Sequence, residues 1–128
     1  TGQGLVGRIT DVTANAARVM LITDPNSNVN ARLQTTRAQG RVEGQLTGNL
    51  RMMWIPLDAD VQVGDVVLTS GLGGNFPPDI QIGQVESRQR EEFALNQVAE
   101  VRSLVDFDNL EFVLVITSFQ PIDISTFE

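Results

Sequence analysis

The sequence predicts an all-β fold, and three observations support this prediction. Short apolar runs rich in β-branched residues are separated by clusters of glycine, proline, asparagine and aspartate, which is the pattern of a barrel or a sandwich. Patterns typical of helices are scarce. The chain has 128 residues, of which 41% are hydrophobic and 20% charged, so it can form a core of ordinary size without disulfides or a structural metal.

Nine strands are predicted in order along the chain. They cover residues 5–12, 17–22, 29–35, 39–45, 50–55, 66–69, 82–88, 94–105 and 110–117. Apolar and polar residues alternate in the first strand, which indicates half-burial, whereas both faces of the last strand are apolar, which indicates burial on both sides. Between the last two strands, residues 106–109 predict a short helix or turn with an aspartate as its cap.

The charge of the chain excludes one class of partner. All nine basic residues are arginine, they face 16 acidic residues, and the net charge is -7. Because nucleic-acid-binding proteins cluster their basic residues and this chain has no basic run, we expect no nucleic-acid partner. No run of about 18 apolar residues could span a bilayer. The chain opens on a strand without an initiating methionine, so we expect it to be a piece of a longer protein.

The most strongly specified segment is residues 64–78, where an apolar strand runs into a turn that is dense in glycine and closed by two prolines. Glycine tolerates positive φ, and proline fixes φ and lacks a backbone donor, so this composition predicts a rigid loop of one particular shape. The residues assigned to this structural role are Gly71, Gly73, Gly74, Pro77 and Pro78.

Ser70 lies at the start of this glycine loop, in a setting similar to that of a protease nucleophile. A serine nucleophile needs a general base, ordinarily histidine, and the chain contains neither histidine nor lysine. A structural turn is therefore the favoured interpretation, and we predict no catalytic residues.

No metal or cofactor site is predicted. Residues 24–28 match the D-x-N-x-N opening of an EF-hand loop, but Val29 stands where that loop needs glycine and Thr35 where it needs a bidentate glutamate. The segment also reads as a common β-turn, which we favour. The carboxylate pairs at 58 and 60 and at 91 and 92, which a glycosidase could use, are interpreted as solvated surface residues.

Three residues are candidate contacts for a partner protein: Trp54, Arg51 and Phe76. Tryptophan, methionine and arginine are favoured at interfaces, and Trp54 follows an Arg-Met-Met run. For Trp54 we favour a place in the core or between subdomains over an exposed anchor. For Phe76, a plug at the end of a barrel and a partner contact stay equally open.

Several motifs, in a specific order and spacing, resemble the MreC family, the rod-shape-determining proteins of bacteria. The glycine loop and the strand after it, TSGLGGNFPPDIQIGQV, resemble the family signature. The other similar segments are GLVGRI at 4–9, TDPNS at 23–27, GRVEG at 40–44 and the apolar closing strand at 110–116. One position departs, because the family usually has glycine after the two prolines and this chain has Asp79. The type of turn at that position is therefore open.

The resemblance implies two small β-barrels with a chymotrypsin-like barrel topology. Residues 1–36 are assigned to a first barrel that is incomplete in this chain, residues 37–118 to the second barrel, and residues 119–128 to a C-terminal tail. In this division the closing strand at 110–117 is free to return to the first barrel.

The resemblance also implies a non-enzymatic scaffold on the extracytoplasmic side, which an N-terminal helix outside this sequence anchors to the inner membrane. Such a scaffold organises and activates lateral peptidoglycan synthesis and so maintains cell shape. Its implied partners are an elongation transpeptidase of the penicillin-binding class, the complex of MreD, RodA and MreB, and other copies of itself. The competing prediction is a β-barrel module that binds a cell-wall fragment or a lipid in a concave pocket.

Overall fold

The structure, a computed structural model, describes residues 4–89, 95–110 and 113–117. Within them lie eight strands: β1 (Gly7–Val12), β2 (Ala17–Leu21), β3 (Asn28–Leu33), β4 (Gln39–Gly44), β5 (Leu50–Pro56), β6 (Val66–Thr69), β7 (Gln81–Gln89) and β8 (Asn96–Ser103). A single 3₁₀-helix, Phe107–Asn109, follows β8 and is capped by the Asp106 side chain, which accepts from the Asp108 N–H. The predicted all-β class is confirmed. The described residues include no helix that is long and apolar enough to cross a membrane.

Six of the strands form a closed antiparallel barrel in the order β3-β4-β5-β8-β7-β6. The barrel closes where β3 pairs with β6, with Ala31 opposite Thr69 and Leu33 opposite Val67. Because closure pairs every strand on both sides, the barrel presents no free edge. The remaining strands, β1 and β2, form a separate two-stranded hairpin.

The interior of the barrel is filled by apolar side chains that alternate along its strands. The fully buried members include Val29, Ala31, Leu33, Val42, Met52, Ile55, Val67, Ile82 and Ala99. A six-stranded barrel is narrow enough for side chains from opposite walls to meet, so this interior is a packed core. Leu5 precedes β1 and Ile22 follows β2, so both lie at the open end of the hairpin, where they join the same core and attach the hairpin to the barrel.

Gly44, at the end of β4, lets a second segment pack against the barrel backbone. A Cβ atom at this position would overlap the backbone of Thr23 and the carbonyl oxygen of Asp24. The turn after β2 therefore lies directly on β4, at a distance that only glycine permits.

The predicted closing strand at 110–117 is wrong for the part of it that the structure describes. Leu110 is an exposed residue after the 3₁₀-helix, residues 113–117 have no regular secondary structure, and Leu114 is 94% exposed. An apolar segment of this kind becomes a buried strand only when it pairs with a sheet that is covered on both faces. The barrel has no free edge, and none of the described strands pairs with these residues.

The boundary placed after residue 36 also differs from the structure. Strand β3 belongs to the closed barrel and not to the hairpin, so the passage between the two sheets falls between Leu21 and Asn28. The sequence pattern missed this because β3 pairs with β6, a partner far along the chain. That the hairpin forms part of a first barrel stays a prediction.

We expect Gly44→Ala to destabilise the chain by several kcal/mol, because the added methyl group collides with backbone that cannot rotate away. Gly48→Ala is the matched control, since a Cβ there meets no atom within 4 Å and the variant bears only the roughly 1 kcal/mol cost of positive φ. Urea unfolding of both variants measures the difference. Equal midpoints for the two would contradict the close packing of the turn on β4.

Candidate functional site

The glycine loop connects β6 to β7 at one end of the barrel. Gly71, Gly73 and Gly74 have φ values of 78°, 83° and 76°, in the left-handed region that side chains disfavour. The N–H of Gly74 donates to the carbonyl of Gly71 at 3.4 Å. Three left-handed residues within four positions explain why this segment is rich in glycine, as the sequence predicted.

Thr69, the last residue of β6, ties the two ends of the loop together. Its buried hydroxyl donates to the Pro77 carbonyl at 2.7 Å and accepts from the Ile80 N–H at 2.9 Å. Its backbone N–H donates to the Ile80 carbonyl at 2.8 Å, and its carbonyl accepts from the Asp79 N–H at 2.9 Å. One residue thus makes four hydrogen bonds across the mouth of the loop.

Asp79 stands at the position after the two prolines, where the pattern that this chain resembles usually has glycine. Its backbone has the left-handed conformation that glycine adopts readily. Its φ is 66°, in the left-handed region, where aspartate is tolerated better than most residues. Its carboxylate forms an ion pair with the guanidinium of Arg32 on β3. This contact fastens the loop to the strand that closes the barrel, so the departure from the family pattern preserves the turn.

Ser70 is used within the loop. Its hydroxyl accepts from the Leu72 N–H at 3.2 Å, and its backbone N–H donates to the Asn30 carbonyl at 2.9 Å. The side-chain amide of Asn30 in turn donates to the Leu72 carbonyl at 3.1 Å. The hydroxyl therefore sits in a local turn, as the structural interpretation of Ser70 predicted, and Asn30 is a loop-positioning residue that the sequence pattern did not reveal.

The segment Asp24–Ser27 is a turn, as the sequence predicted. The Asp24 carboxylate accepts from the Asn26 N–H at 2.8 Å, and its carbonyl accepts from the Ser27 N–H at 2.9 Å. Across residues 4–89, 95–110 and 113–117, no group of three or more histidine, cysteine, aspartate or glutamate side chains could hold a metal ion. Asp58 and Asp60 are exposed, as expected, whereas the pair at 91 and 92 lies outside the described residues.

Phe76, the aromatic residue of the loop, is half-buried and packs against the barrel core. It also borders a small cleft between the hairpin and the barrel, with Arg8, Met20, Asn26, Ser27, Asn28 and Asn75. The guanidinium of Arg8 donates to the Asn75 side chain at 3.1 Å and so bridges the hairpin to the loop. This packing favours the interpretation of Phe76 as a plug at the end of the barrel over that of a partner contact.

Trp54 is 56% exposed, so it does not lie in the core, and the alternative place between subdomains stays a prediction. Strand β5 contains a bulge, in which Met53 and Trp54 both lie opposite Val98, between the pairs Met52–Ala99 and Ile55–Gln97. The extra residue breaks the alternation of the strand. Trp54 therefore points outward together with Met53, and Ile55 returns to the interior.

The backbone of Trp54 is strained. Its φ is 65°, and a bulky side chain in the left-handed region costs on the order of 1–3 kcal/mol. The Arg41 guanidinium lies 5.8 Å from the ring centroid, a cation–π contact worth about 0.5–1 kcal/mol at an exposed site. Just over half of the residue is exposed, so burial offsets the strain less than it would in the core.

Arg51, the third candidate contact residue, forms an ion pair with Glu100 on β8 at 2.9 Å. On the same outer face, Arg41 pairs with Glu43 at 2.8 Å. Arg51 and Glu100 also border an open depression of about 480 Å³ with Gln45, Leu46, Thr47 and Asn49. The structure thus brings Trp54 and Arg51 together on the outside of β4, β5 and β8 and leaves Phe76 at the end of the barrel.

We expect Gly71→Val, Gly73→Val and Gly74→Val each to destabilise the chain by more than about 1 kcal/mol, because valine strains the left-handed backbone. Thermal unfolding measures the change. Equal stability of all three variants and the wild type would show that the loop is flexible and does not hold one shape.

We expect Thr69→Val to cost about 1–3 kcal/mol, because it removes the hydroxyl between the Pro77 carbonyl and the Ile80 N–H and leaves both without that partner. Thr69→Ser keeps the hydroxyl and is the matched control. Denaturant unfolding compares them, and a valine variant as stable as the serine variant would contradict the role of this hydroxyl.

Residues 1–117 match the family model "Rod shape-determining protein MreC, barrel core". A cell shape-determining protein MreC from Listeria monocytogenes is 35% identical over 121 residues, which cover 91% of this chain and 41% of that protein. This chain therefore spans less than half the length of that relative.

Solved structures agree with the sequence match. The MreC structure from Listeria monocytogenes superposes with a TM-score of 0.74 at 34% identity, covering 83% of this chain and 53% of that one. The MreC chain in a complex with penicillin-binding protein PBP2 from Helicobacter pylori has the same fold, with a TM-score of 0.61 at 22% identity, covering 71% of this chain and 57% of that one. Sequence and structure together show that this chain belongs to the MreC family of cell shape-determining proteins.

Proposed function

We propose that the chain is a non-catalytic scaffold of the bacterial cell-elongation machinery. In this role it maintains cell shape by organising and activating lateral peptidoglycan synthesis through protein–protein contacts. The observation that carries the proposal is its membership in the MreC family across residues 1–117. The proposed partner is an elongation transpeptidase of the penicillin-binding class, by analogy with the solved complex of PBP2 with an MreC protein.

The geometry of the glycine loop supports a scaffold over a hydrolase. The hydroxyl of Ser70 accepts from a backbone N–H within its own turn, and the sequence supplies no histidine or lysine as a general base. Polar groups of the loop bind one another, strand β3 and Arg8 of the hairpin. Such a loop provides a surface of defined shape, which suits recognition of another protein.

The packed interior of the barrel supports the scaffold over a ligand-binding module. Small ligands bind in concave pockets that enclose most of their surface. Here apolar side chains fill the barrel, and among the described residues the depression beside Arg51 is open and the cleft beside Phe76 is small. We therefore favour contacts between protein surfaces over binding of a cell-wall fragment or lipid.

The location and the wider assembly are part of the proposal. A solved relative is described as the major periplasmic domain of MreC, and we place this chain likewise on the extracytoplasmic side of the inner membrane, anchored by another part of its protein. Contacts with MreD, RodA and MreB and self-association stay predictions from the family.

The proposal is tested by the binding of this chain to the extracytoplasmic region of the elongation transpeptidase from the same organism. We expect saturable binding in biolayer interferometry, and no binding to a penicillin-binding protein that acts outside elongation. We expect Ser70→Ala to bind as the wild type does, with no peptidoglycan hydrolysis by either. Absent binding would contradict the scaffold, and a hydrolase activity lost in Ser70→Ala would contradict its non-catalytic nature.

A further inference from the structure

Trp54 is the one tryptophan of the chain, and the fold places it where it does not serve the core. The residue is 56% exposed and its backbone lies in the strained left-handed region. A strained residue persists only where something else requires it, and such residues cluster at functional sites. Glycine would adopt this φ without strain, so the backbone conformation does not require a tryptophan here.

The bulge in β5 places two consecutive side chains on the outer face of the barrel. Two consecutive side chains, Met53 and Trp54, project from the outer face opposite the half-buried Val98 on β8. Arg41 on β4 lies over the ring and restricts its orientation. The result is an apolar ridge, which we define as Met53, Trp54 and Val98 with Arg41 beside it. A large aromatic side chain that is already oriented loses little entropy when it binds.

The charges around the ridge indicate what can approach it. The chain carries a net charge of -7. On this face, however, Arg41 forms an ion pair with Glu43, and Arg51 forms one with Glu100. The face is therefore close to neutral on an acidic molecule. Two copies of the chain, each with a net charge of -7, repel one another at long range, whereas a different protein need not meet that repulsion.

We propose that Trp54 is the anchor of the interface with the elongation transpeptidase, and that its ring inserts into an apolar pocket of that enzyme. The inference rests on the proposed function and deepens it by naming the contact surface. Binding energy at protein interfaces concentrates in a few residues, among which tryptophan and arginine are enriched.

The decisive variant is Trp54→Gly, because glycine accepts the bulge backbone. We expect the Kd for the transpeptidase to rise about 30-fold or more, while the melting temperature stays equal or rises. Trp54→Phe keeps an aromatic ring and should lose less affinity than the glycine variant. Val63→Ala is the control, because Val63 is 72% exposed in the turn before β6, the strand opposite β5 in the barrel, and we expect its Kd to be unchanged.

A second measurement uses the wild-type chain. Because Trp54 is the one tryptophan, labelling the chain with 5-fluorotryptophan gives one ¹⁹F resonance that reports on this ring alone. We expect this resonance to shift or broaden when unlabelled transpeptidase is added. A resonance unchanged at saturating transpeptidase would overturn the proposal, even if Trp54→Gly fails to fold.

The remaining outcomes separate this inference from the proposed function. Wild-type binding with an equal Kd for Trp54→Gly would overturn the anchor and leave the scaffold standing. Absent wild-type binding would overturn both. A resonance that moves with phosphatidylglycerol vesicles or with chain concentration alone, and not with the transpeptidase, would overturn the anchor and assign the ridge to a membrane or to a second copy.

Discussion

The hydroxyl of Thr69 is the contact on which the shape of the barrel end depends. Thr69 pairs with Ala31 where β6 closes the barrel, and the same residue holds Pro77 and Ile80 at the far end of the glycine loop. Closure of the barrel and shape of the loop are therefore coupled through one buried side chain. A buried polar group is stable only when its hydrogen bonds are made, so the loop has one arrangement that satisfies this hydroxyl fully.

In β5 a local irregularity, the bulge, determines which side chains reach the surface. Without the bulge, strict alternation would place Trp54 inside and Ile55 outside, and the narrow barrel would have to hold an indole ring. With the bulge, Ile55 fills the core at 0% exposure and the tryptophan is displaced to the surface. The strain at Trp54 is thus compensated in part by correct packing one residue later, which keeps the ridge compatible with a stable core.

The features of the fold and the site that could be predicted from the sequence are those set by interactions between residues close together in the chain. The strands and the Asp24–Ser27 turn follow from alternation and turn chemistry, which act over a few residues. The predictions that failed, at Trp54 and at the described part of residues 110–117, have another origin, because a bulge and the pairing of a strand depend on what lies across the sheet. Asp79 shows an intermediate case, since the left-handed turn is local, whereas the Arg32 ion pair that supports it comes from a distant strand.

A closed, filled barrel limits how the proposed scaffold can act on an enzyme. Its interior has no room to rearrange, so conformational change is expected in the partner and not in this chain. A rigid partner shifts a conformational equilibrium only by binding one state more tightly than the other. A fixed aromatic ridge meets this requirement if its pocket is open in the active transpeptidase and closed in the inactive one. The rigidity that the core and the Thr69 contacts provide is then part of the activating mechanism, because a ridge that adapted to both states would shift neither.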